Sequence, residues 1–321
     1  MKIMKFKVPL TVCSILMIFA LCSSAWASTT FISIGTGGTG GVYFPLGGAL
    51  ANIITNNMPG YSCTAESTGG SVENTMLISR NQVELAFIDA STVYNAQNNL
   101  AFFADQNVTN LRGLVSLFPE AVQLVTLDPT IRTIEDLRGR RVAVGSPGSG
   151  TETMTRDILS LYGMTYDDIR HDFLGFADAS AGLRDGTIDA AIIWAGVPTA
   201  GIMELGTMHN INLLSFSDET FERLQKIRPV AIRMTITNEH YSSLEEEVST
   251  FAIPATLAAQ AELSEEFVYN LLTVFFDNLD TFAAAHVRGG DVSLETALQG
   301  MEYIELHPGA IKFYRARGLL E

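Results

Sequence analysis

Three short stretches of the chain combine side chains and backbone suited to holding a small polar ligand. The first is Gly35-Thr36-Gly37-Gly38-Thr39-Gly40-Gly41, five glycines in seven residues, between the apolar residues 31–34 and the segment Val42-Tyr43-Phe44-Pro45-Leu46. Glycine tolerates positive φ and lets another group approach the main chain closely. A helix opening at such a loop presents unpaired N–H groups and the positive end of its dipole, which suits an anion. The second stretch is Ser67-Thr68-Gly69-Gly70-Ser71, in which Ser71 is expected to cap a helix from Val72 to about Arg80, with Glu73 in its first turn. The third is Gly145-Ser146-Pro147-Gly148-Ser149-Gly150-Thr151-Glu152, where Ser149 and Glu152 have the spacing of a capping box. Thr36, Gly37, Gly38, Tyr43, Ser67, Ser71 and Asn74 are thus candidate ligand-binding residues on one side, and Ser146, Ser149, Gly150 and Thr151 on the other. Each hydrogen bond to a charged group is worth ~1.5 to 3 kcal/mol, so a few suffice for micromolar binding.

Two further side chains join this set. Asp89 follows the buried run at residues 83–88, at the strand end beyond which open α/β sheets bind their ligands. It is either a cap or a partner for a ligand ammonium. Trp194 closes the run at residues 188–194, and it either stacks on a ligand or packs in the core.

Other chemistries fit less well. Gly35 to Gly40 satisfies G-x-G-x-x-G, but Glu66 comes late for a ribose-binding acid, and two similar loops would be left unexplained by a dinucleotide site. Ser149 stands at a strand-to-helix turn, as a nucleophile would, yet Pro147 occupies the first glycine position of G-x-S-x-G. His171, His209, His240, His286 and His307 show no triad spacing, and they are too scattered for a metal site beside the single Cys63. The reading is a binding protein rather than an enzyme, with no cofactor and no metal.

Each loop needs a strand before it and a helix after it, and the chain supplies both repeatedly. Leu46, Leu50, Ile53 and Ile54 form the stripe of a helix packed on a sheet, ended by Asn56-Asn57-Met58-Pro59-Gly60. Residues 61–66, 83–88, 141–144 and 188–194 read as strands. Residues 111–127 are mostly apolar, with an interruption expected at Phe118-Pro119-Glu120. A helix follows Ser149 through Met154, Ile158 and Leu161 to Gly163, and another spans residues 178–184. Residues 248–258 read as a return crossing, Ser264 opens a long helix, and His307-Pro308-Gly309 introduces a last short one. Strand and helix alternate, so the class is α/β with mainly parallel sheets, arranged as two lobes facing one cleft.

Lys2, Lys5 and Lys7 precede an apolar run at residues 8–21, and Ala25-Trp26-Ala27 supplies a cleavage site. Residues 1–27 therefore read as a secretory signal, which makes the protein a soluble, exported one. No later run approaches the ~18 apolar residues of a spanning helix. Formal net charge is −15, and removing residues 1–27 takes away three lysines and no acid, leaving −18. That balance argues against nucleic acid and anionic membranes as partners. Cys13 and Cys22 leave with the signal, so the core must hold the fold without a disulfide.

Taken together, these segments resemble the TAXI family of solute-binding proteins of tripartite ATP-independent periplasmic (TRAP) transporters. The resemblance rests on Gly35 to Pro45, Glu66 to Asn74, Val144 to Thr151, Ala195-Gly196-Val197-Pro198 and Leu306-His307-Pro308-Gly309-Ala310. It implies a type II, two-lobed periplasmic-binding-protein fold with two crossing hinge segments: residues 28–119 with 254–321 as one lobe, and 120–253 as the other. It also implies a small acidic solute, a glutamate-like amino acid or a C4/C5 dicarboxylate such as 2-oxoglutarate, handed to an ion-gradient-driven membrane permease. A monomer is the simplest expectation. Asp89 stands where the family usually has Gln, and Ile236-Thr237-Asn238-Glu239 departs from the usual Ile-Pro-Ala-Gly. A ligand-sensing protein without transport would differ only in its partner. Arg112, Arg132, Arg170, Arg184 and Arg233 are candidates to reach the cleft.

Overall fold

The computed structural model describes residues 29–321; the expected signal segment, residues 1–27, lies outside them. The first part of the chain is built from three strand–loop–helix units. Strand β1 (Thr30–Gly35) runs through the first glycine loop into helix α1 (Tyr43–Asn57). Strand β2 (Tyr61–Glu66) leads into α2 (Ser71–Ser79), and β3 (Leu85–Asp89) into α3 (Ala90–Gln97). Helix α1 buries Leu46, Leu50, Ile53 and Ile54 on the sheet, as their spacing predicts. Every residue of β3 is buried, and it is covered on both faces.

Strand β4 (Leu111–Thr126) then carries the chain into a second set of units. These are β5 (Arg141–Ala143) with α4 (Gly150–Leu161), β6 (Arg170–Asp172) with α5 (Phe176–Arg184), and β7 (Ala190–Gly196) with α6 (Ala200–Met208). The short β8 (Asn212–Leu213), α7 (Asp218–Gln225) and β9 (Ile232–Ile236) follow. Strand β10 (Val248–Gln260) brings the chain back, and α8 (Glu265–Asp277), α9 (Leu279–Ala285) and α10 (Pro308–Ala316) finish it. Ser264 caps α8 by accepting the Phe267 N–H, and His307 caps α10 by accepting the Gly309 N–H.

The main path of the sheet is β2-β1-β3-β10-β4-β7-β5-β6, with β8 beside β4 and β9 beside β10. Strands β1, β2 and β3 are mutually parallel, as are β5, β6 and β7. The two central strands run antiparallel to each other and to β3 and β7. Strand β10 pairs with β9 through residues 248–252 and with β3 through residues 255–259. Each long strand is therefore shared between two half-sheets. Phe267, Leu271, Phe275, Phe313 and Tyr314 of the C-terminal helices pack with Leu46 and Leu50, so the end of the chain completes the first half.

The expected break at Phe118-Pro119-Glu120 is absent: β4 is continuous over 16 residues. Proline cannot donate to a ladder, which ordinarily keeps it out of a central strand. Here Pro119 lies opposite Pro254 of β10, and the register shifts just beyond, between Pro254 and Thr256. The lost donors thus fall together where the two half-sheets meet. Among the described residues, no helix is long and apolar enough to cross a membrane.

Candidate functional site

The three loops converge. A cavity that opens to solvent lies between the half-sheets. The first half contributes Gly37, Gly38, Tyr43, Ser71 and Asp89. The second contributes Ser146, Ser149, Gly150, Thr151 and Trp194. The N-termini of α1, α2, α4 and α5 all border it, through Tyr43, Ser71, Gly150 and Phe176. First-turn N–H groups have no intrahelical acceptor, so four partial positive charges face one space.

Thr36, Ser67 and Asn74 were expected to serve a ligand, but they do not line the cavity. Their polar atoms hold the first loop in place instead. Thr36 is fully buried and donates its hydroxyl to Glu66 O at 2.6 Å. Ser67 donates to Gly37 O at 3.1 Å, and Asn74 Nδ2 donates to Thr36 O at 2.6 Å and Phe87 O at 2.8 Å. Ser71 does not cap α2. Gly70 is the cap, at φ +114°, which favours glycine. The Ser71 hydroxyl accepts the Asp89 N–H at 3.1 Å, tying α2 to the end of β3.

Ser149 caps α4 as expected, accepting the Glu152 N–H at 3.1 Å. The reciprocal half of a capping box is missing, because Glu152 Oε1 accepts from Arg156 Nε at 2.5 Å and Tyr166 Oη at 3.0 Å. Among the described residues, no histidine, lysine or arginine lines the cavity, so Ser149 has no histidine base there. No group of three or more His, Cys, Asp or Glu among them is placed to hold a metal.

Two carboxylates do line it. Asp89 caps α3: its Oδ1 accepts from Thr92 N at 2.8 Å and Ser91 Oγ at 2.6 Å, and its Oδ2 from Thr92 Oγ1 at 2.6 Å. Glu120, on β4 beside Pro119, is 6% exposed and was not foreseen, since its segment was read as a break in the strand. Its Oε2 accepts from Tyr43 Oη at 2.6 Å. Burial pushes its carboxyl well above the ordinary carboxylate range; the Tyr43 hydrogen bond opposes this, and the nearby Asp89 charge adds to it. Burial likewise raises the Tyr43 phenol, with Glu120 reinforcing the effect.

Trp194 also acts at this point, donating Nε1–H to Glu120 O at 2.8 Å. Behind its ring, 5.4 Å from the centroid, lies the guanidinium of Arg228. This is the buried arginine of the site, and it was absent from the sequence candidates. Arg112, Arg184 and Arg233 instead pair with the surface acids Glu305, Glu204 and Asp218, and neither Arg132 nor Arg170 reaches the cavity. Arg228 donates to Asp157 Oδ2 at 2.7 Å and Thr153 Oγ1 at 3.2 Å on α4, and to Ser91 Oγ at 2.6 Å on α3. The half-sheets also meet where the Glu73 N–H donates to Gly148 O at 3.0 Å and where Gly40 and Gly41 lie against Ala177 and Phe176. The cleft is closed around its cavity.

This architecture has known counterparts. The sequence matches the NMT1-like family over residues 34–318. The chain belongs to the NMT1-like family. Part of this NMT1-like chain is 33% identical, over 85 residues, to an Escherichia coli (strain K12) protein named as an aliphatic sulfonates-binding protein. That match spans 26% of this chain and 26% of the relative's length. Among solved structures, PhnD1 from Prochlorococcus marinus (MIT 9301), in complex with methylphosphonate, superposes with a TM-score of 0.54 at 11% identity. The match covers 91% of the NMT1-like chain and 100% of the other. A protein of Bordetella bronchiseptica RB50 gives 0.52 at 16% identity, covering 90% of each chain. The fold is the two-lobed one of periplasmic binding proteins, with β4 and β10 as its two crossing segments.

Proposed function

We propose that this protein is an exported solute-binding protein that closes its two lobes on a small solute with an acidic head group and delivers it to a membrane transporter. The observation that carries this reading is the convergence of four helix N-termini on one cavity between halves joined by two long strands. The acidic group belongs against the backbone N–H groups of Gly37, Gly38, Gly150 and Thr151, with the hydroxyls of Ser71, Ser146 and Thr151 completing its shell. The lobes comprise residues 28–119 with 254–321 and residues 120–253, and they pivot where Pro119 faces Pro254.

The motifs of the sequence favour a TAXI-type TRAP system and a glutamate-like amino acid or C4/C5 dicarboxylate. The partial identity to the sulfonate-named relative brings alkyl sulfonates into the same range of head groups. A thermal-shift panel of acidic amino acids, C4 and C5 dicarboxylates, alkyl sulfonates and alkyl phosphonates tests the reading. A solute at a thousand times its Kd stabilises the native state by about 4 kcal/mol, a shift of many degrees. At least one such acid is expected to produce it, and silence across the panel overturns the proposal. Uptake of that solute by proteoliposomes carrying the cognate permease separates the transport routes: a sodium or proton gradient drives a TRAP system, ATP an ABC system, and no uptake points to a sensor.

A further inference from the structure

The two carboxylates of the cavity wall are not equivalent. Asp89 accepts three hydrogen bonds, and Arg228 stands one hydroxyl away through Ser91, so its charge is already compensated. Glu120 accepts one, from Tyr43 on Oε2, and among the described residues no hydrogen bond reaches its Oε1. A buried carboxylate is expensive unless it is paired or takes up a proton. The charged and titratable groups around Glu120 are Tyr43 on α1 and Asp89 at the end of β3, neither of them a cation. Trp194, from β7, donates to its backbone oxygen and leaves the carboxyl alone. Among the described residues, Glu120 is therefore the acid of the cavity that has no cationic partner.

We propose that Glu120 receives a cationic amine of the solute, making it the residue by which the cleft selects amine-bearing acids over their amine-free analogues. The inference rests on the solute-binding reading above and names the second half of the ligand. The acid of the solute lies at the helix N-termini and its ammonium at the hinge, against Glu120 Oε1. Since β4 crosses between the lobes at Glu120, the amine engages the segment about which closure turns. In the free protein, burial favours the protonated carboxyl, so binding an ammonium releases a proton from Glu120. Affinity for the amine-bearing solute then rises with pH until free Glu120 is ionised, and levels off above that.

The test uses the chain from Ser28 to Glu321 and two matched pairs of probes: glutamate with 2-oxoglutarate, and 2-aminoethanesulfonate with ethanesulfonate. Calorimetry on the wild type is expected to give at least tenfold tighter binding of the amine-bearing member of whichever pair is accepted. Glu120→Gln should weaken that member at least tenfold and its amine-free partner less than threefold, whereas Tyr43→Phe, which keeps the carboxylate, should preserve the preference. Wild-type preference for the amine-free member, or equal losses for both in Glu120→Gln, overturns the proposal. If the Gln variant does not fold, the wild-type preference and its rise with pH decide instead, and a flat profile is the negative result. Binding confined to amine-free acids elsewhere in the panel sinks the amine subsite and leaves the solute-binding reading standing. Silence with every acid removes both.

Discussion

Asp89 illustrates how a carboxylate on the cavity wall can serve the fold and not a ligand. Its carboxylate lines the cavity, yet both oxygens are held by the first turn of α3, so its contribution is to the helix. Losing an N-cap costs about 0.5 to 2 kcal/mol. Asp89→Ala should therefore lower the unfolding free energy read from urea melts by an amount in that range while leaving the ratio of glutamate to 2-oxoglutarate affinity as in the wild type. A selective loss of amine binding in this variant would move the amine role from Glu120 to Asp89. The sequence allowed both readings of Asp89, because a strand-end acid before a helix is the pattern of a cap and of a ligand group alike. Glu120 was not legible, since it follows a proline and its value lies in lacking a partner, a property of three dimensions. Thr36, Ser67 and Asn74 were legible as polar residues at a loop, but the pattern cannot tell a hydroxyl facing the ligand from one facing the loop's own carbonyls.

At the scale of elements, glycine loops between strands and helices are local features, and the sequence located all three. Their cross-cleft fit is another matter. A Cβ on Gly150 would fall 2.8 Å from Asp89 Oδ2 and 3.2 Å from Trp194 Cζ3, across the cleft on one side and against the cavity wall on the other. Gly150→Ala should therefore impede closure, weakening solute binding at least tenfold while changing the thermal midpoint of the ligand-free protein little. Unchanged affinity would mean that the lobes close less tightly in the bound state. Strand β4 shows why the middle of the chain resisted reading: one proline argues against a central strand, and only the facing proline on β10, 135 residues later, accommodates it. The short β8 and β9 carry too little periodicity to be found alone. Arg228 lies just beyond α7 in irregular backbone, where no pattern marks it.

Viewed whole, the molecule is two half-sheets held together by two strands and by a few polar contacts across a cleft. Arg228 makes the most connected of these, joining α4 of one half to Ser91 of the other while stacking behind Trp194. Removing it would cost the second half its bonds to Asp157 and Thr153 whether the cleft is open or closed, and would cost the closed arrangement alone the bond to Ser91. Arg228→Met should weaken every bound solute by a similar factor, amine-bearing or not, and small-angle scattering should show a larger radius of gyration at a given solute concentration. A selective effect on one ligand class would place the guanidinium within the binding site instead. The equal-factor outcome and the Glu120 outcome thus separate closing from choosing.

Trp194 has a consequence for the laboratory. The only other tryptophan is Trp26, so a chain produced from Ser28 carries a single indole, and it sits on the cavity wall with its N–H bound to Glu120 O and a guanidinium behind its ring. With excitation that tyrosine does not absorb, its emission is the emission of the whole protein. Opening of the lobes exposes that indole to water while the guanidinium behind it stays in the same half, so its intensity and wavelength follow the cleft directly. The protein carries its own fluorophore at the place where binding happens, and stopped-flow traces of the unlabelled chain would time capture and release without any added dye.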